Sequence, residues 1–298
     1  MILKRNLAYS QTERKERLRE PEAAHKLGAD PAEYQRGTNV IDLQIRKAVE
    51  AFSATVTVQL LLADKEGKPI PRGTGTLFEV GDRQLVVTAK HLFDELEPDD
   101  LERFCVPEGP RGGIFTVGNC DLHRPKEGHV DIAFLEFKER ETIERMRTGW
   151  RFLTMENVAD ASPTGDFVLT GYPEPFTIRE GSSIVGGLAS VYTQRIAVPA
   201  DLPFSAAPII EGLNDLFFAY TETATLGDGT TIPSPVLLGA SGGSLWEYCE
   251  SPREQPLWNP DQAVKVVGVQ ASYRRDHYIR GIRWTIVEKG LRMIGAIP

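Results

Sequence analysis

The stretch Gly239-Ala240-Ser241-Gly242-Gly243 places one serine between glycines, with apolar strand candidates at 236–238 and 244–246. A serine hydroxyl becomes a nucleophile when a base takes its proton and backbone N–H groups face the oxyanion that forms. Glycine tolerates positive φ, which lets such N–H groups point into one cavity. Gly239 and Ser241 are therefore candidate oxyanion-hole donors. A plain glycine-rich turn between two strands explains the pentapeptide equally well.

Upstream, a histidine follows one apolar run and an aspartate precedes another. In the segment 86–93, an apolar β-branched run ends in the small residue Ala89 of Thr88-Ala89-Lys90-His91, and His91 follows it. Asp131 opens the apolar segment 131–135. Taken alone, such a histidine is usually structural and such an aspartate usually caps a strand or turn. The three segments together, in the order histidine, aspartate and Ser241, point to nucleophilic catalysis.

The elements that must position these residues are short strands. Apolar runs rich in Val, Ile and Thr are separated by Gly, Pro, Asp and Asn, which predicts many short strands. Residues 73–78 predict a strand that pairs with the run before His91 across a turn at Gly81-Asp82. Four further elements are expected: an amphipathic helix over 40–49, a strand over 55–61, a charged helix over 139–147, and a strand passing into a helix over 284–294.

The chain resembles the trypsin/chymotrypsin-fold serine peptidases, and among them the disulfide-poor bacterial branch that includes the HtrA-like proteases. Five segments carry the resemblance: Gly73 to Phe78 (Gly-Thr/Ser-Gly-Phe in the family), Thr88-Ala89-Lys90-His91 (Thr-Ala-x-His), Asp131-Ile132-Ala133-Phe134 (Asp-Ile-Ala-Leu), Gly239 to Gly243 (Gly-x-Ser-Gly-Gly) and Val267-Gly268-Val269 (Val-Gly-Ile). The same triad occurs on other folds in other chain orders, so this order points to this fold.

The resemblance implies an all-β fold of two six-stranded antiparallel β-barrels, chymotrypsin-like, with an N-terminal helical extension and a C-terminal helix. We expect three parts. Residues 1–50 form a charged N-terminal extension with an amphipathic helix, residues 51–150 the first β-barrel, and residues 151–298 the second β-barrel and the C-terminal helix. The stretch 13–20 carries charges of both signs and is either an ion-paired helix or a disordered arm.

The resemblance also implies a role for each residue. Ser241 attacks the scissile carbonyl carbon, His91 acts as general base and then general acid, and Asp131 holds the imidazole. The backbone N–H groups of Gly239 and Ser241 bind the oxyanion. Three other acids compete with Asp131 for its role: Asp94, Asp121 and Glu136. Asp131 is preferred because it opens the apolar strand that matches the family motif.

The expected substrate pocket departs from the pattern of the best-known family members. Pro235, six residues before Ser241, lies at the position of the pocket base, where an acid would select Lys or Arg. The edge expected to pair with the substrate backbone is Gln270-Ala271-Ser272-Tyr273. In it, Ala271 replaces a serine beside the triad aspartate, and Tyr273 narrows the pocket. We therefore expect the substrate to carry an apolar or small residue at the cleaved position.

Two features of the sequence concern how the expected activity is controlled. Ala240 stands where animal members have an aspartate that pairs with a newly cut N-terminus, so activation by such a cleavage is not expected. The N-terminal extension suits a regulatory protein partner.

Composition narrows the class of protein. The net charge of −8 argues against nucleic-acid binding, and without a long apolar run no transmembrane helix or membrane partner is expected. The N-terminus lacks the apolar core of a signal peptide, and three cysteines give no disulfide framework. We therefore expect a cytoplasmic serine endopeptidase with no cofactor and no metal, acting on a protein or peptide substrate. The alternative is a catalytically silent trypsin-fold module that binds a protein partner.

Overall fold

A computed structural model describes residues 43–109, 113–126, 129–180, 183–200, 202, 214–225, 231–249 and 260–298. The charged stretch at 13–20, and the extension as far as residue 42, lie outside the described residues. The helix expected over 40–49 is described as α1, Leu43–Ser53. It leads into the first strand, as the sequence predicts.

The first half of the described chain is an antiparallel sheet of seven strands, in the order β5-β4-β1-β2-β3-β7-β6. Its strands are β1 (Thr57–Ala63), β2 (Pro69–Val80), β3 (Arg83–Thr88), β4 (Phe104–Pro107), β5 (Ile114–Thr116), β6 (Cys120–His123) and β7 (Ala133–Phe137). As predicted, β2 and β3 pair across the turn at Gly81, whose φ is 64°. Helix α2 (Arg140–Gly149) follows β7, close to the predicted charged helix.

The second half is built on a closed antiparallel barrel of six strands, in the order β11-β12-β17-β16-β15-β8. Its strands are β8 (Asp166–Gly171), β11 (Ala189–Ile196), β12 (Asp215–Ala219), β15 (Ser244–Tyr248), β16 (Val264–Arg274) and β17 (Tyr278–Arg283). Two hairpins lie outside it: β9 (Thr177–Glu180) with β10 (Ser183–Gly186), and β13 (Thr223–Thr225) with β14 (Thr231–Pro233). The helices are α3 (Pro260–Ala263) and α4 (Trp284–Met293).

The chymotrypsin-like, mostly β architecture expected from the sequence is confirmed, and one detail differs. The second barrel has the six strands expected, whereas the first sheet has seven and is open rather than closed. Its two end strands are short, and within the described residues they do not pair with each other. The closed barrel lacks such edges, because each of its strands has a partner on both sides.

A buried apolar cluster joins the two halves. It contains Phe78 and Val87 from the first sheet together with Trp246, Val266 and Trp284 from the second half. The ring centroids of Phe78 and Trp284 lie 4.8 Å apart. Burying side chains of this size stabilises a fold by about 1.5–3 kcal/mol each. The cluster therefore fixes the position of one sheet against the other, and with it the seam in which the candidate site lies.

An ion-pair network crosses strands β3, β6 and β7. Glu136 accepts hydrogen bonds from Arg83 (2.9 Å to Nε) and Lys138 (2.7 Å), and its Oε2 lies 2.9 Å from His123 Nε2. Burial raises the pKa of Glu136, but the hydrogen bonds from Arg83, Lys138 and His123 outweigh it and lower the pKa to about 2. The charge of Glu136 therefore stabilises the fold above the carboxyl's ordinary pKa, and this contribution is lost as the pH falls toward about 2.

Glu136→Gln should lower the free energy of unfolding at pH 7 by about 3 kcal/mol, because it leaves two cations without their buried partner. The deficit should shrink as the pH is lowered from about 5 toward 2, where the wild-type carboxylate also takes up a proton. Denaturant unfolding at several pH values measures this. Glu144→Gln, which removes the exposed Arg140–Glu144 pair, is the control and should change stability little. A deficit that stays constant with pH would contradict the prediction.

Candidate active site

His91 and Asp131 are held together by two contacts. His91 lies in a short 3-10 helix, Lys90–Phe93, that begins just after β3, and Asp131 lies just before β7, the strand beside β3. The backbone N–H of His91 donates to Asp131 Oδ1 at 2.9 Å, and His91 Nδ1 lies 2.8 Å from Asp131 Oδ2. The carboxylate thus fixes both the main chain and the ring. Nε2 is the ring nitrogen left to exchange a proton with a substrate or a nucleophile.

The pKa of Asp131 lies below its ordinary value. Burial raises it, but the hydrogen bonds and charge of His91, together with the charge of Arg280, outweigh burial. The carboxylate is therefore ionised at neutral pH and can stabilise a protonated imidazole.

The other acids weighed for this role do not contact the imidazole. Glu136 belongs to the network with Arg83, and Asp121 pairs with Lys138 at 3.0 Å. Asp94 meets His91 only through the backbone, its N–H lying 3.4 Å from the His91 carbonyl oxygen. Among the described residues, Asp131 is the acid that touches the ring.

A second group of polar side chains has the composition of a cation site. Asp121, His123 and Glu136 each offer a ligand atom, and these atoms lie within 4.8 Å of one another. Arg83 and Lys138 already bring positive charge to the same carboxylates. That charge opposes a bound cation, and the absence of a metal stays a prediction.

The turn that carries Ser241 depends on its glycines. Gly239 has a φ of 91° and Gly242 a φ of 87°, in the region that side chains rarely adopt. A Cβ at Gly242 would also overlap the carbonyl oxygen of Thr74 and the hydroxyl of Thr88. The turn therefore requires glycine at 242 both for its backbone angle and for the close approach of the first sheet.

The turn leaves two backbone donors unused. The N–H groups of Ala240, Gly242 and Gly243 donate to Leu237, Gln270 and Ala240 carbonyl oxygens at 2.8–2.9 Å. Within the part of the chain that the structure describes, the N–H groups of Gly239 and Ser241 have no acceptor. These are the two donors that the sequence predicts for an oxyanion hole.

Thr74 ties this turn to the first sheet, a role that sequence reasoning missed. Its N–H donates to the Ser241 carbonyl oxygen at 2.8 Å, and its hydroxyl donates to the Gly239 carbonyl oxygen at 3.0 Å. The same hydroxyl accepts the Tyr172 N–H at 2.8 Å. Thr74 is completely buried, so water does not compete for these bonds. In the sequence, Thr74 stands out only as part of the Gly73–Phe78 segment. That segment predicts a strand, but it does not predict a contact with the second half of the protein.

Ser241 and the residue after His91 meet at the same place on β2. The carbonyl oxygen of Ser241 and the side chain of Leu92, the residue after His91, both lie against Gly73. Among the hydrogen bonds of the described residues, none joins the Ser241 hydroxyl to His91. Such bonds are often long without substrate and shorten when it binds.

Two of the residues expected to form the pocket, Pro235 and Tyr273, both contact Tyr220. The Tyr220 hydroxyl donates to the Pro235 carbonyl oxygen, and the rings of Tyr220 and Tyr273 meet edge to face at 5.9 Å. Tyr220 was not among the predicted pocket residues.

On β16, the backbone of Gln270 is engaged by the turn, donating to Gly243 and accepting from Gly242. Ala271 is 3% exposed and packs in the cluster between the two halves, whereas Ser272 is partly exposed. Ala271 offers no hydroxyl to Asp131.

Ala240 is enclosed. It is 1% exposed, and a Cβ at Gly171 would lie 3.1 Å from its own Cβ. A carboxylate at this position would be buried beside apolar side chains of the barrel interior.

Comparison with known proteins gives structural likeness only. The chain resembles the crystal structure of the Rv3671c protease of M. tuberculosis in its active form, with a TM-score of 0.47 and 15% identity over 94% of this chain and 95% of that one. The inactive form of the same protease gives a TM-score of 0.47 and 15% identity over 86% of this chain and 96% of that one. A structure from work on the coupled folding and binding of the intrinsically disordered Sesbania mosaic virus VPg protein gives a TM-score of 0.44 and 14% identity, over 77% of this chain and 87% of that one. No protein-family model and no curated protein sequence matches the chain.

Among the described residues, no helix has both the length and the apolar character needed to cross a bilayer.

The peptidase activity that the sequence predicts should fall in Gly242→Ala by about 10²-fold or more in kcat/KM on a peptide substrate, because the turn must shift to relieve the overlap with Thr74 and Thr88. Gly67→Ala is the matched control. Gly67 also has positive φ, at 78°, but a Cβ there meets nothing within 4 Å. It should lose at most about 1–2 kcal/mol of stability and keep its activity. Equal activity in the two variants would contradict the role given to the turn.

Proposed function

We propose that the protein is a trypsin-like serine endopeptidase that hydrolyses peptide bonds through His91, Asp131 and Ser241. One observation carries the proposal: the backbone N–H groups of Gly239 and Ser241 lack acceptors among the described residues, in a turn tied to the sheet that holds the His91–Asp131 pair. Two free donors beside a serine, and an imidazole oriented by a carboxylate on the sheet to which that turn is bonded, are the parts that acyl transfer needs.

Each group has a task in this reaction. His91 Nε2 takes the Ser241 proton as Oγ attacks the carbonyl carbon, and the N–H groups of Gly239 and Ser241 bind the resulting oxyanion. The C–N bond breaks as His91 returns the proton to the leaving amine. Water then attacks the carbonyl carbon of the acyl-enzyme, losing its proton to His91. His91 returns that proton to Ser241 Oγ as the ester C–O bond breaks, and the acid product leaves. Asp131 stays ionised throughout and stabilises the imidazolium.

We propose that the substrate is an extended protein or peptide segment that pairs with one edge of β16. Strand β15 pairs with β16 only as far as Val269, and β17 covers the other edge. Since the backbone of Gln270 is engaged by the turn, pairing with substrate falls to the residues that follow it, Ala271 and Ser272. Strand addition at a sheet edge gives affinity without sequence specificity, which the side-chain pocket must supply.

We expect an apolar or small residue at the cleaved position, because Pro235 brings no charge and Tyr220 and Tyr273 narrow that side of the barrel. An acidic residue is the minority preference, favoured by Arg274, Arg275 and His277. Cleavage of a peptide library, read by mass spectrometry, determines the preference. A dominant preference for Lys or Arg would contradict the neutral pocket.

The alternative is a catalytically silent module of the same fold that binds a protein partner. It is favoured by the absence, within the described residues, of a hydrogen bond between the Ser241 hydroxyl and His91. The two functions differ in one property, since only an assembled triad makes the serine reactive toward a fluorophosphonate.

Wild-type protein should be labelled by a fluorophosphonate, whereas Ser241→Ala should be unlabelled and inactive but equally stable. His91→Ala should lose activity to a similar extent, and the double variant should lose little more, because the residues act as a unit. Ser272→Ala, on the substrate edge, controls for labelling of another serine. Labelling of Ser241→Ala would contradict the assignment, and no labelling of a folded wild type would favour the silent module.

We also propose that the protein acts in the cytoplasm. Cys105, Cys120 and Cys249 are free thiols. Burial raises the pKa of all three, that of Cys120 to about 11 with help from nearby acids, so they are poor thiolates at neutral pH.

A further inference from the structure

Gln270 carries a buried side-chain amide that the proposed reaction does not use. Its main chain is bonded to the turn that carries Ser241: the Gln270 N–H donates to the Gly243 carbonyl oxygen at 2.8 Å, and the Gln270 carbonyl oxygen accepts the Gly242 N–H at 2.9 Å. The residue is completely buried. Among the described residues, neither the nitrogen nor the oxygen of its side-chain amide has a hydrogen-bond partner. Native proteins contain few such groups, because an unpaired polar atom in the interior lowers stability.

Strand pairing shows where the Gln270 side chain points. On β17, Gly281 lies opposite Gln270 and Ile279 lies opposite Tyr273, with the register shifting between these two pairs. Paired residues share a face of the sheet, and so do residues two apart on a regular strand. Gln270 and Tyr273 therefore lie on one face. It is the face directed into the closed barrel, because Ile279 packs in the apolar cluster of the barrel interior.

This apolar cluster reaches the candidate site. It contains Tyr220, Leu237 and Ala240, the residue before Ser241, and Tyr273 packs against it. Tyr220 and Tyr273 are the rings that narrow the expected pocket for the substrate side chain. The side-chain amide of Gln270 is thus directed into the barrel interior that the pocket residues also line.

A buried charge on the same pair of strands is treated differently. Arg280 lies opposite Ser272, on the other face of the sheet, and its Nε donates to Asp215 Oδ1 at 2.7 Å. Its Nη2 lacks an acceptor among the described residues, but the guanidinium as a whole keeps a carboxylate partner. In Gln270, by contrast, both polar atoms of the side chain are unpaired.

The two unpaired atoms select one chemical class of ligand. The amide nitrogen donates and the amide oxygen accepts, so a complementary group must accept and donate side by side. A carboxylate pairs only with the nitrogen, an ammonium group only with the oxygen, and an alkyl chain with neither. A carboxamide, the end group of glutamine and asparagine, pairs with both and brings no charge into an apolar interior.

We propose that Gln270 is a specificity-determining residue whose side chain binds the carboxamide of a glutamine or asparagine at the cleaved position of the substrate. The inference rests on the proposed function and sharpens it: the apolar or small residue expected from Pro235 gives way to a neutral residue that forms hydrogen bonds. Since Gln270 is covered without substrate, a side chain on its face must move to admit the substrate, and Tyr273 is the partly exposed one.

Matched peptides test the proposal. Substrates that differ only at the cleaved position carry glutamine, asparagine, glutamate, lysine or methionine there, and kcat/KM is measured for each. Methionine has the length of glutamine without its hydrogen bonds. Wild-type protein should cleave the better carboxamide peptide about tenfold or more faster than the methionine peptide. Equal or better cleavage of the methionine, glutamate or lysine peptide would overturn the proposal.

Gln270→Met removes the amide and keeps the length of the side chain. The kcat/KM ratio of carboxamide to methionine peptide should fall about tenfold or more. The variant should unfold at a denaturant concentration at least as high as wild type, because no buried amide is then left unpaired. If it does not fold, Gln270→Leu takes its place.

Gln84→Met is the matched control, since it makes the same change at another buried glutamine, on β3, and should keep the wild-type ratio. An unchanged ratio in folded Gln270→Met would show that the amide serves only the fold, for example through a buried water, and would overturn the proposal.

A binding measurement separates this inference from the proposed reaction. Ser241→Ala protein is titrated by calorimetry with six-residue product peptides that end in glutamine, asparagine or methionine. The better carboxamide peptide should bind about tenfold or more tighter than the methionine peptide, and adding Gln270→Met should remove the difference. Equal affinities, or no binding of any of the three, would count against the proposal.

The two failures are distinguishable. If fluorophosphonate does not label the wild type but the peptides are still discriminated, the peptidase function fails alone. If peptides are cleaved without a preference for a carboxamide, the role of Gln270 fails alone.

Discussion

The hydrogen bonds of Thr74 across the seam are the interaction on which the candidate site depends. Thr74 belongs to β2 of the first sheet, yet it holds the carbonyl oxygens of Gly239 and Ser241 from the second half. Its own carbonyl accepts the Thr88 hydroxyl at 2.6 Å, three residues before His91. One buried residue thereby connects the turn that carries the serine to the strand that precedes the histidine. The bonds are strong because Thr74 is completely buried, so water does not compete for them.

Local pattern was enough to predict several of the elements and to select the candidate reactive residues. The hairpin of β2 and β3, helix α1, and the turn at Gly239–Gly243 each follow from neighbouring residues, as apolar periodicity or glycine placement. The contact of Asp131 with His91 was also predictable, since Asp131 opens the strand that pairs with β3. In each case the information lies within a few residues of sequence.

The remaining features depend on register between distant strands. Arg280 and Asp215 meet only because β12 and β17 pair so that Phe217 lies opposite Arg280. In sequence, Arg280 looks like one more charge in the group Arg274, Arg275 and His277, which suggests a solvated loop. The open first sheet was missed for a related reason: whether β5 and β6 meet depends on the curvature of the whole sheet, which no short segment encodes.

Keeping two N–H groups available for an oxyanion costs free energy in the protein without substrate. Two N–H groups without acceptors, at Gly239 and Ser241, forgo hydrogen bonds worth about 1 kcal/mol each, and two glycines in the turn adopt positive φ. Both residues are partly exposed, so water can offset part of the loss. Their three neighbours in the turn are all hydrogen-bonded, and Thr74 fixes the two carbonyl oxygens. Within the described residues, the turn is therefore held at its other three N–H groups and left open at the two that would meet a negative charge, as the proposed oxyanion site requires.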